Sequence, residues 1–417
     1  MERKKMRQSR TEWLEAVCQK EIVLFGAGAY AKAFYRDFKD ELHISYCISN
    51  DERQNVFCLD GREVCQVYRV EKAIMDEHRF IILCAEKHGE MEKQLSAYGL
   101  RYGADYVDSG LFRVMNSSKK IVVFYGVCYM RALHHCLMES PSFMDIYDAY
   151  YWLGYRTRNI VEQETFLLLL GMAELYICHE AMTMEARIYL SALKQECKII
   201  RIPLVMFNGY HPKTGERVGE DNVYSIVSSN TYFGPFITPD DVVNQCIREN
   251  RKLPEILKLI SDVDYYKKDF LERNYRKEIR KIEVAEAAVD IQISDYILEN
   301  HGKKRLFLNE KHISNCVIIE LARRVLEALD LDGELPAEEL CNRRLLYTTE
   351  VPVYPSVIEK LSLTVYGKKP KYRMFTFGKE IDVTFEEYIE RYYDYCTMMK
   401  MCMEEGYFPD GRGYGRK

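Results

Sequence analysis

Cys128 lies where a predicted strand meets a predicted helix. Residues Ile121 to Tyr125 form an apolar strand, and Met130 to Met138 have the spacing of a helix. A thiolate at Cys128 would face the positive end of the helix dipole, which lowers the pKa of a thiol. Ligands bind at such strand ends, so Cys128 is a candidate nucleophile or ligand contact. The alternative is a small buried residue, since the chain has 14 cysteines.

Two histidines are candidates for a general base. His211 precedes Pro212 in a loop after the predicted strand Lys198 to Ile202, and a residue before proline favours an extended conformation. His312 precedes a strongly predicted helix, Cys316 to Leu329. Imidazole is the usual base near neutral pH, so either side chain could remove the proton of a hydroxyl group. By spacing alone, a surface histidine in a turn is the favoured interpretation of His211. The sequence does not choose between His211 and His312 as the base.

A second strand–turn–helix pattern occurs near the N-terminus. The apolar strand Glu21 to Phe25 leads into a G-x-G-x-x-A turn over Gly26-Ala27-Gly28-Ala29-Tyr30-Ala31. Gly26 permits the tight turn, Gly28 lets a phosphate approach the backbone, and Ala31 allows close packing of helix and strand. Asp51, about 20 residues further on, could contact a ribose hydroxyl, and Asn50 could serve in its place. The pattern predicts a Rossmann-like fold with a nucleotide or nucleotide-sugar site, and the alternative is the fold without a ligand.

The order of predicted elements indicates an α/β protein. We expect a small N-terminal Rossmann-like parallel-sheet module over residues 1–115. A larger α/β domain with a mostly helical C-terminal half should follow over residues 119–400. Residues 406–417, rich in glycine and basic residues, should form a flexible tail.

The composition excludes several classes of protein. A hydrophobic fraction of 47% and a charged fraction of 29% are typical of a globular chain, and the net charge of −5 argues against nucleic-acid binding. No C-x-x-C pair occurs, so we expect reduced cysteines and no metal site. No signal peptide or spanning apolar run is evident, so we expect a cytoplasmic protein without membrane insertion.

The second predicted domain resembles the WcbI family of capsular polysaccharide biosynthesis proteins from about Lys119 to Cys396. The segments that carry the resemblance are IVVFYGVC, LYICHE, IPLVMFNGYHP, RLFLNEKHISN, YPS and EEYIERYYDY. The turn departs from the family pattern, since Val127 and Tyr129 replace the two amides of Gly-Asn-Cys-Gln. The family's Asn-His-Pro segment is Lys311-His312-Ile313 here. Residues 21–112 loosely resemble the Rossmann-like modules fused to bacterial sugar-modifying enzymes, which are associated with nucleotide sugars.

The resemblance implies binding of coenzyme A or acetyl-CoA and O-acetyl transfer onto a capsule sugar. In that interpretation Gly126 and Tyr129 lie at the cofactor, and Arg131 could pair with a coenzyme phosphate. Arg156 and Arg158 are further basic candidates. The implied partners are a small-molecule acyl donor, a sugar acceptor, and either a second copy of the chain or another capsule enzyme.

Two other functions remain open from the sequence. A strand–Gly–x–nucleophile–helix turn with a distant histidine also describes SGNH-type esterases, with Cys128 in the place of serine. That mechanism needs an acidic partner to orient the histidine, and the one D-x-x-H segment, Asp40 to His43, lies far from Cys128 in sequence. A non-catalytic scaffold that binds a nucleotide or coenzyme A is the third possibility.

Overall fold

The computed structural model describes residues 10–76, 78–85, 88–154, 160–179, 184–212, 236, 238–346, 348–376 and 379–404. They form a mixed α/β protein, which confirms the predicted fold class. The chain divides into two compact units. The first unit comprises Met1–Val127 and Pro141–Ile200, and the second comprises Cys128–Ser140 and Arg201–Lys417. In the described ranges, no helix has the combined length and apolarity needed to cross a membrane.

The first unit begins with a six-stranded sheet in the order β3-β4-β2-β1-β5-β6. Its strands are β1 (Glu21–Phe25), β2 (Ile44–Ile48), β3 (Val56–Leu59), β4 (Arg62–Tyr68), β5 (Arg79–Leu83) and β6 (Tyr106–Asp108). Its helices are α1 (Arg10–Cys18), α2 (Ala29–Phe38), α3 (Val70–Ile74), α4 (Gly89–Ala97) and α5 (Ser109–Asn116). All neighbouring strands are parallel except β3 and β4, so the predicted parallel module is present with an added antiparallel edge.

A four-stranded sheet in the order β10-β9-β7-β8 follows. Its strands are β7 (Lys120–Gly126), β8 (Tyr147–Leu153), β9 (Leu175–His179) and β10 (Lys198–Ile202). The helices between them are α6 (Cys128–Leu137), α7 (Pro141–Ile146), α8 (Ile160–Met172) and α9 (Met184–Ala192). The central strand β7 is parallel to both β8 and β9. Its carboxyl end, at Gly126, therefore lies between two neighbouring strands.

The two sheets share one hydrophobic core within the first unit. Phe80 and Phe112 from the first region and Val123 and Trp152 from the second belong to the same buried cluster. The Asp108 carboxylate also accepts a hydrogen bond of 2.8 Å from the Tyr150 hydroxyl, between the end of β6 and the strand β8. The compact units therefore divide the chain differently from the predicted boundary between residues 115 and 119, because β7 to β9 complete the apolar core of the N-terminal region.

The remainder of the second unit is mostly helical, with two short antiparallel hairpins. The helices are α10 (Asp241–Arg248), α11 (Leu253–Ile260), α12 (Lys268–Glu286), α13 (Ser294–Asn300), α14 (Asn315–Ala328), α15 (Ala337–Asn342), α16 (Pro355–Lys360) and α17 (Phe385–Glu404). The hairpins pair β11 (Phe307–Asn309) with β12 (His312–Ile313), and β13 (Tyr372–Thr376) with β14 (Lys379–Val383). Helix α14 packs against α6, so the helix that Cys128 begins is supported by the one that follows β12. The predicted tail, residues 406–417, lies outside the described residues.

Candidate active site

The turn after β7 holds Cys128 at the first position of α6, as the sequence predicts. The carbonyl of Gly126 accepts a hydrogen bond of 2.9 Å from the Gly154 N–H, and the Tyr151 hydroxyl lies 3.2 Å from the Val127 carbonyl oxygen. These bonds fix the last residues of the strand before the helix begins. Cys128 is half-buried, so its thiol is packed but still reachable from solvent.

The thiol of Cys128 contacts His312, which lies 184 residues further along the chain. The distance from Cys128 Sγ to His312 Nε2 is 3.0 Å, within hydrogen-bonding range for sulfur. His312 is the first residue of β12, and the hairpin register pairs it with Asn309 at the end of β11. A two-residue connection, Glu310-Lys311, therefore sets the position of the imidazole.

Asn309 orients that imidazole. His312 Nδ1 lies 2.9 Å from Asn309 Oδ1, and the same oxygen accepts the Lys311 N–H at 3.0 Å. Asn309 Nδ2 donates to the Thr349 carbonyl at 3.1 Å and lies 3.2 Å from the Thr348 hydroxyl oxygen. Because these four contacts fix which end of the amide is oxygen, Nδ1 must carry the imidazole proton and donate it to Asn309. Nε2 is then the acceptor that faces the thiol.

Burial sets the protonation of this pair. It raises the pKa of the Cys128 thiol, and this effect exceeds the lowering by the backbone N–H groups of Tyr129 and of Cys128 itself. Burial, with the nearby charge of Lys311, lowers the pKa of His312 to about 4. At neutral pH the pair is a thiol and a neutral imidazole. The pKa of the thiol is therefore raised and not lowered as the sequence predicted, because desolvation of the sulfur outweighs the hydrogen bonds from those N–H groups.

His211 occupies a different place in the second unit. His211 is 5% exposed, and it lines a small cavity of about 20 Å³ with Asp240, Tyr266 and Tyr354. Burial lowers the pKa of His211 to about 4. Of the two histidines that the sequence left open, the one that contacts Cys128 is His312.

The predicted cofactor residues at this turn separate into two kinds. The side chain of Tyr129 is fully buried and its hydroxyl donates to the Pro203 carbonyl, so only its backbone N–H faces the sulfur. Arg131 is exposed in the first turn of α6, where a ligand phosphate could reach it. Arg156 and Arg158 lie outside the described residues. In the described part of the chain, no cluster of three or more histidine, cysteine, aspartate or glutamate side chains could hold a metal ion.

The N-terminal turn has the predicted backbone geometry. Gly26 has a φ of 109°, and a β-carbon there would lie 2.9 Å from the Cys84 carbonyl oxygen. Gly28 caps α2 and faces open space, while Ala31 is fully buried. The side chain of Asp51 accepts hydrogen bonds from the Arg53 backbone at 3.0 Å and from its guanidinium at 3.2 Å. Asp51 is therefore engaged by Arg53, whose hydrogen bonds lower the pKa of the carboxyl group.

Asn309 is the site residue that the sequence analysis missed. Its signal is present in N-E-K-H, since residues that flank a two-residue hairpin connection face each other across the strands. Leu306-Phe307-Leu308 is only a brief apolar segment, and two very short strands give almost no alternating pattern.

Comparison with known proteins identifies the family. A solved structure described as WcbI, a novel polysaccharide biosynthesis enzyme, superposes with a TM-score of 0.57 at 15% sequence identity. The match covers 67% of this chain and 91% of that one. That structure is described as native protein without a disulfide bond between coenzyme A and a cysteine. No curated protein matches the chain significantly. The family profile "Polysaccharide biosynthesis enzyme WcbI" matches residues 121–334, just over half of the sequence. The chain belongs to the WcbI family of polysaccharide biosynthesis enzymes.

Proposed function

We propose that this protein is a coenzyme A-dependent O-acyltransferase that acts on a sugar or nucleotide sugar in the biosynthesis of a capsule or another surface polysaccharide. The observation that carries the proposal is the hydrogen-bonded series Cys128–His312–Asn309. A thiol, a base and a group that orients the base are the parts needed for covalent acyl transfer. The related WcbI structure supports the choice of donor, since it is described with reference to coenzyme A and a cysteine.

The turn fits an acyl thioester. Cys128 is half-buried beside a neutral imidazole, and two backbone N–H groups at the start of α6 point at its sulfur. Coenzyme A, when bound, supplies the acyl group as a thioester. The N–H groups stabilise negative charge that develops on the Cys128 sulfur, both as it attacks and as it later leaves.

His312 moves the protons in both half-reactions. In the first, Nε2 takes the thiol proton while Cys128 Sγ bonds to the acyl carbon, and the imidazolium returns that proton to the departing coenzyme sulfur. In the second, Nε2 takes the proton of the sugar hydroxyl, whose oxygen attacks the acyl carbon. The Sγ–acyl bond then breaks and the proton goes to Cys128. Asn309 Oδ1 holds the Nδ1 proton throughout and stabilises the transient positive charge.

The resting pair is neutral, so the thiolate forms during the attack and not before it. The raised pKa of Cys128 and the lowered pKa of His312 both disfavour a separated ion pair. Such a thiol is protected from adventitious oxidation and alkylation. Proton transfer then accompanies acyl transfer, which is general-base catalysis.

The N-terminal module would bind a nucleotide or nucleotide sugar. The turn Gly26–Ala31 and the start of α2 offer backbone N–H groups to a phosphate, and Gly28 leaves its approach open.

The first experiment measures binding and acylation together. Calorimetry with coenzyme A and acetyl-CoA should give saturable binding to the wild-type protein. Intact-protein mass spectrometry after an acid quench should find one acetyl group, located at Cys128 by digestion. Cys128→Ala should abolish the adduct, while Cys58→Ala, an exposed thiol in the first sheet, should retain it. A wild-type protein that binds neither compound would overturn the proposal. Turnover of the adduct to free acetate without an acceptor would instead favour an esterase.

A further inference from the structure

The second unit contains a large cavity separate from the Cys128 thiol. Its volume is about 720 Å³, and its walls come from β11, the start of α14, the segment that includes α15, and β13. This volume is in the range of sites that enclose small molecules. Its lining includes neither Cys128 nor His312, so it is not the space in which the thiol and imidazole meet.

Basic side chains outnumber acidic ones in the lining of this cavity. Seven lysines and arginines line it with two glutamates, Glu320 and Glu350. The five arginines are ion-paired with these glutamates or with others outside the lining, whereas Lys303 and Lys304 form no ion pair within the described residues. The ammonium groups of these two lysines are therefore the charges that can attract an anion into the opening.

The first turn of α14 adds a directional anion-binding element. Ser314, Asn315 and Cys316 line the cavity, and α14 continues for 14 residues. The positive end of its dipole therefore lies at the wall of the cavity. Asn315 Nδ2 donates to the carbonyl oxygens of Leu340 at 3.0 Å and Arg343 at 2.7 Å, which holds the adjoining basic segment beside the helix start.

The cationic side chains differ in how firmly they are held. Arg305 donates to Glu350 at 3.2 Å and to the Lys371 carbonyl at 2.7 Å, so its guanidinium is fixed. Arg344 stacks on the Phe375 ring at 4.5 Å from its centroid. Lys303 is exposed, and within the described ranges no hydrogen bond or ion pair engages its ammonium group. The cavity thus combines fixed arginines with one lysine that is available to a ligand.

Aromatic side chains complete the lining. Tyr296 and Phe375 both face the cavity, and flat rings of this kind can pack against a nucleobase. The cavity also adjoins the catalytic groups through a shared residue, because Thr348 lines it and contacts Asn309.

We propose that this cavity binds the diphosphate group of a small phosphorylated ligand. The phosphates lie at the first turn of α14, between Lys303 and Arg305. The inference goes beyond the acyl transfer, since it concerns a second binding site and stands on the cavity alone. A nucleoside diphosphate of the acceptor and the diphosphate of coenzyme A share this chemistry, and the experiment separates them.

The test is calorimetry of the full-length protein with inorganic pyrophosphate, UDP and coenzyme A. Saturable binding of pyrophosphate or UDP should weaken at least tenfold in Lys303→Glu and by less in Lys303→Gln. Lys258→Glu, an exposed lysine on α11 away from the cavity, should leave it unchanged. Because the Lys303 side chain makes no polar contact within the described residues, we expect the variants to fold normally, and circular dichroism checks this.

Competition assigns the source of the diphosphate. Displacement of pyrophosphate by coenzyme A would place the coenzyme in the cavity. Independent binding of pyrophosphate and coenzyme A would instead assign the cavity to the diphosphate of a nucleotide acceptor. No saturable binding of pyrophosphate or UDP, or equal weakening in Lys258→Glu, would overturn the inference. Failure of coenzyme A binding alone, with pyrophosphate still bound, would count against the proposed transferase and not against this site.

Discussion

The chain builds two strand–turn–helix motifs that differ in what their turns present. At the first, β1 passes through Gly26 into α2, and the turn offers backbone alone, with a positive φ and a carbonyl 2.9 Å from where a β-carbon would lie. At the second, β7 passes through Val127 into α6, and the turn presents the thiol of Cys128. Both place a helix N-terminus at the carboxyl edge of a parallel sheet, which is the usual position of ligands in α/β proteins.

The difference lies in what the rest of the chain brings to each turn. The Gly26 turn lies against Cys84, a residue that is 4% exposed and whose pKa burial raises to about 12. The Cys128 turn meets an oriented imidazole on a distant hairpin. A local motif therefore places a group at the edge of the sheet, and a residue remote in sequence provides the hydrogen-bond partner that the proposed chemistry needs.

The largest expected effect tests the partner of the second turn. His312→Gln should lower the rate of acyl transfer by about 10²- to 10⁴-fold, because it removes the general base. The measurement is the rate of Cys128 acetylation in a quenched-flow series read by mass spectrometry. The same rate, normalised to the amount of folded protein, should fall far less in the His211→Gln variant. A larger loss in His211→Gln than in His312→Gln would reverse the assignment of the base.

The next effect compares the thiols at the two turns. Burial raises the pKa of Cys128, so its thiolate fraction should rise about tenfold per pH unit over neutral and mildly alkaline pH. Alkylation by iodoacetamide should accordingly increase about 100-fold from pH 7 to pH 9 without a plateau. Cys84 should stay unlabelled throughout. A plateau for Cys128 below pH 8 would mean that the helix dipole outweighs burial.

A third prediction concerns the backbone of the first turn. Gly26→Ala should lower the free energy of unfolding by about 2 kcal/mol or more, because the added β-carbon meets the Cys84 carbonyl and the φ of 109° is strained for alanine. Gly28→Ala is the matched control, since its β-carbon meets no atom within 4 Å. It should cost below about 1 kcal/mol. Urea denaturation measures both, and equal losses would contradict the geometry of the turn.

The smallest effect sharpens the role of Asn309 as a positioning residue. Asn309→Ala should slow acyl transfer about tenfold, because the imidazole loses the acceptor that fixes its tautomer. The Asn309→Asp variant separates this role from a purely structural one, because it should change the pH dependence of the reaction. A carboxylate there favours the imidazolium, so the pKa of His312 should rise from about 4. The acid limb of the pH–rate profile should then shift to higher pH. An acid limb at the same pH as in the wild-type protein would show that Asn309 has no part in the mechanism.

Much of the fold follows from local patterns, and the exceptions have identifiable causes. The apolar runs at β1, β2, β7, β9 and β10 are buried parallel strands, which are short and nearly continuous in hydrophobicity. The sequence pattern does not predict strand β8, because Tyr147–Leu153 mixes aromatic and polar residues. The β3–β4 hairpin was missed although Asp60-Gly61 carries its signal. Both residues have positive φ, at 50° and 79°, as a two-residue hairpin turn requires.

The sequence by itself determined the family, the α/β fold and the position of Cys128 at the end of a strand. These conclusions depend on hydrophobic patterns and short motifs that are local in sequence, so they can be recognised without the tertiary structure. Only the tertiary structure decided that His312 and not His211 meets the thiol, and that Asn309 orients it. It also decided the direction of the thiol pKa. Contacts over 184 residues and the loss of solvent at the sulfur arise from packing, and packing is a property of the whole fold rather than of any segment.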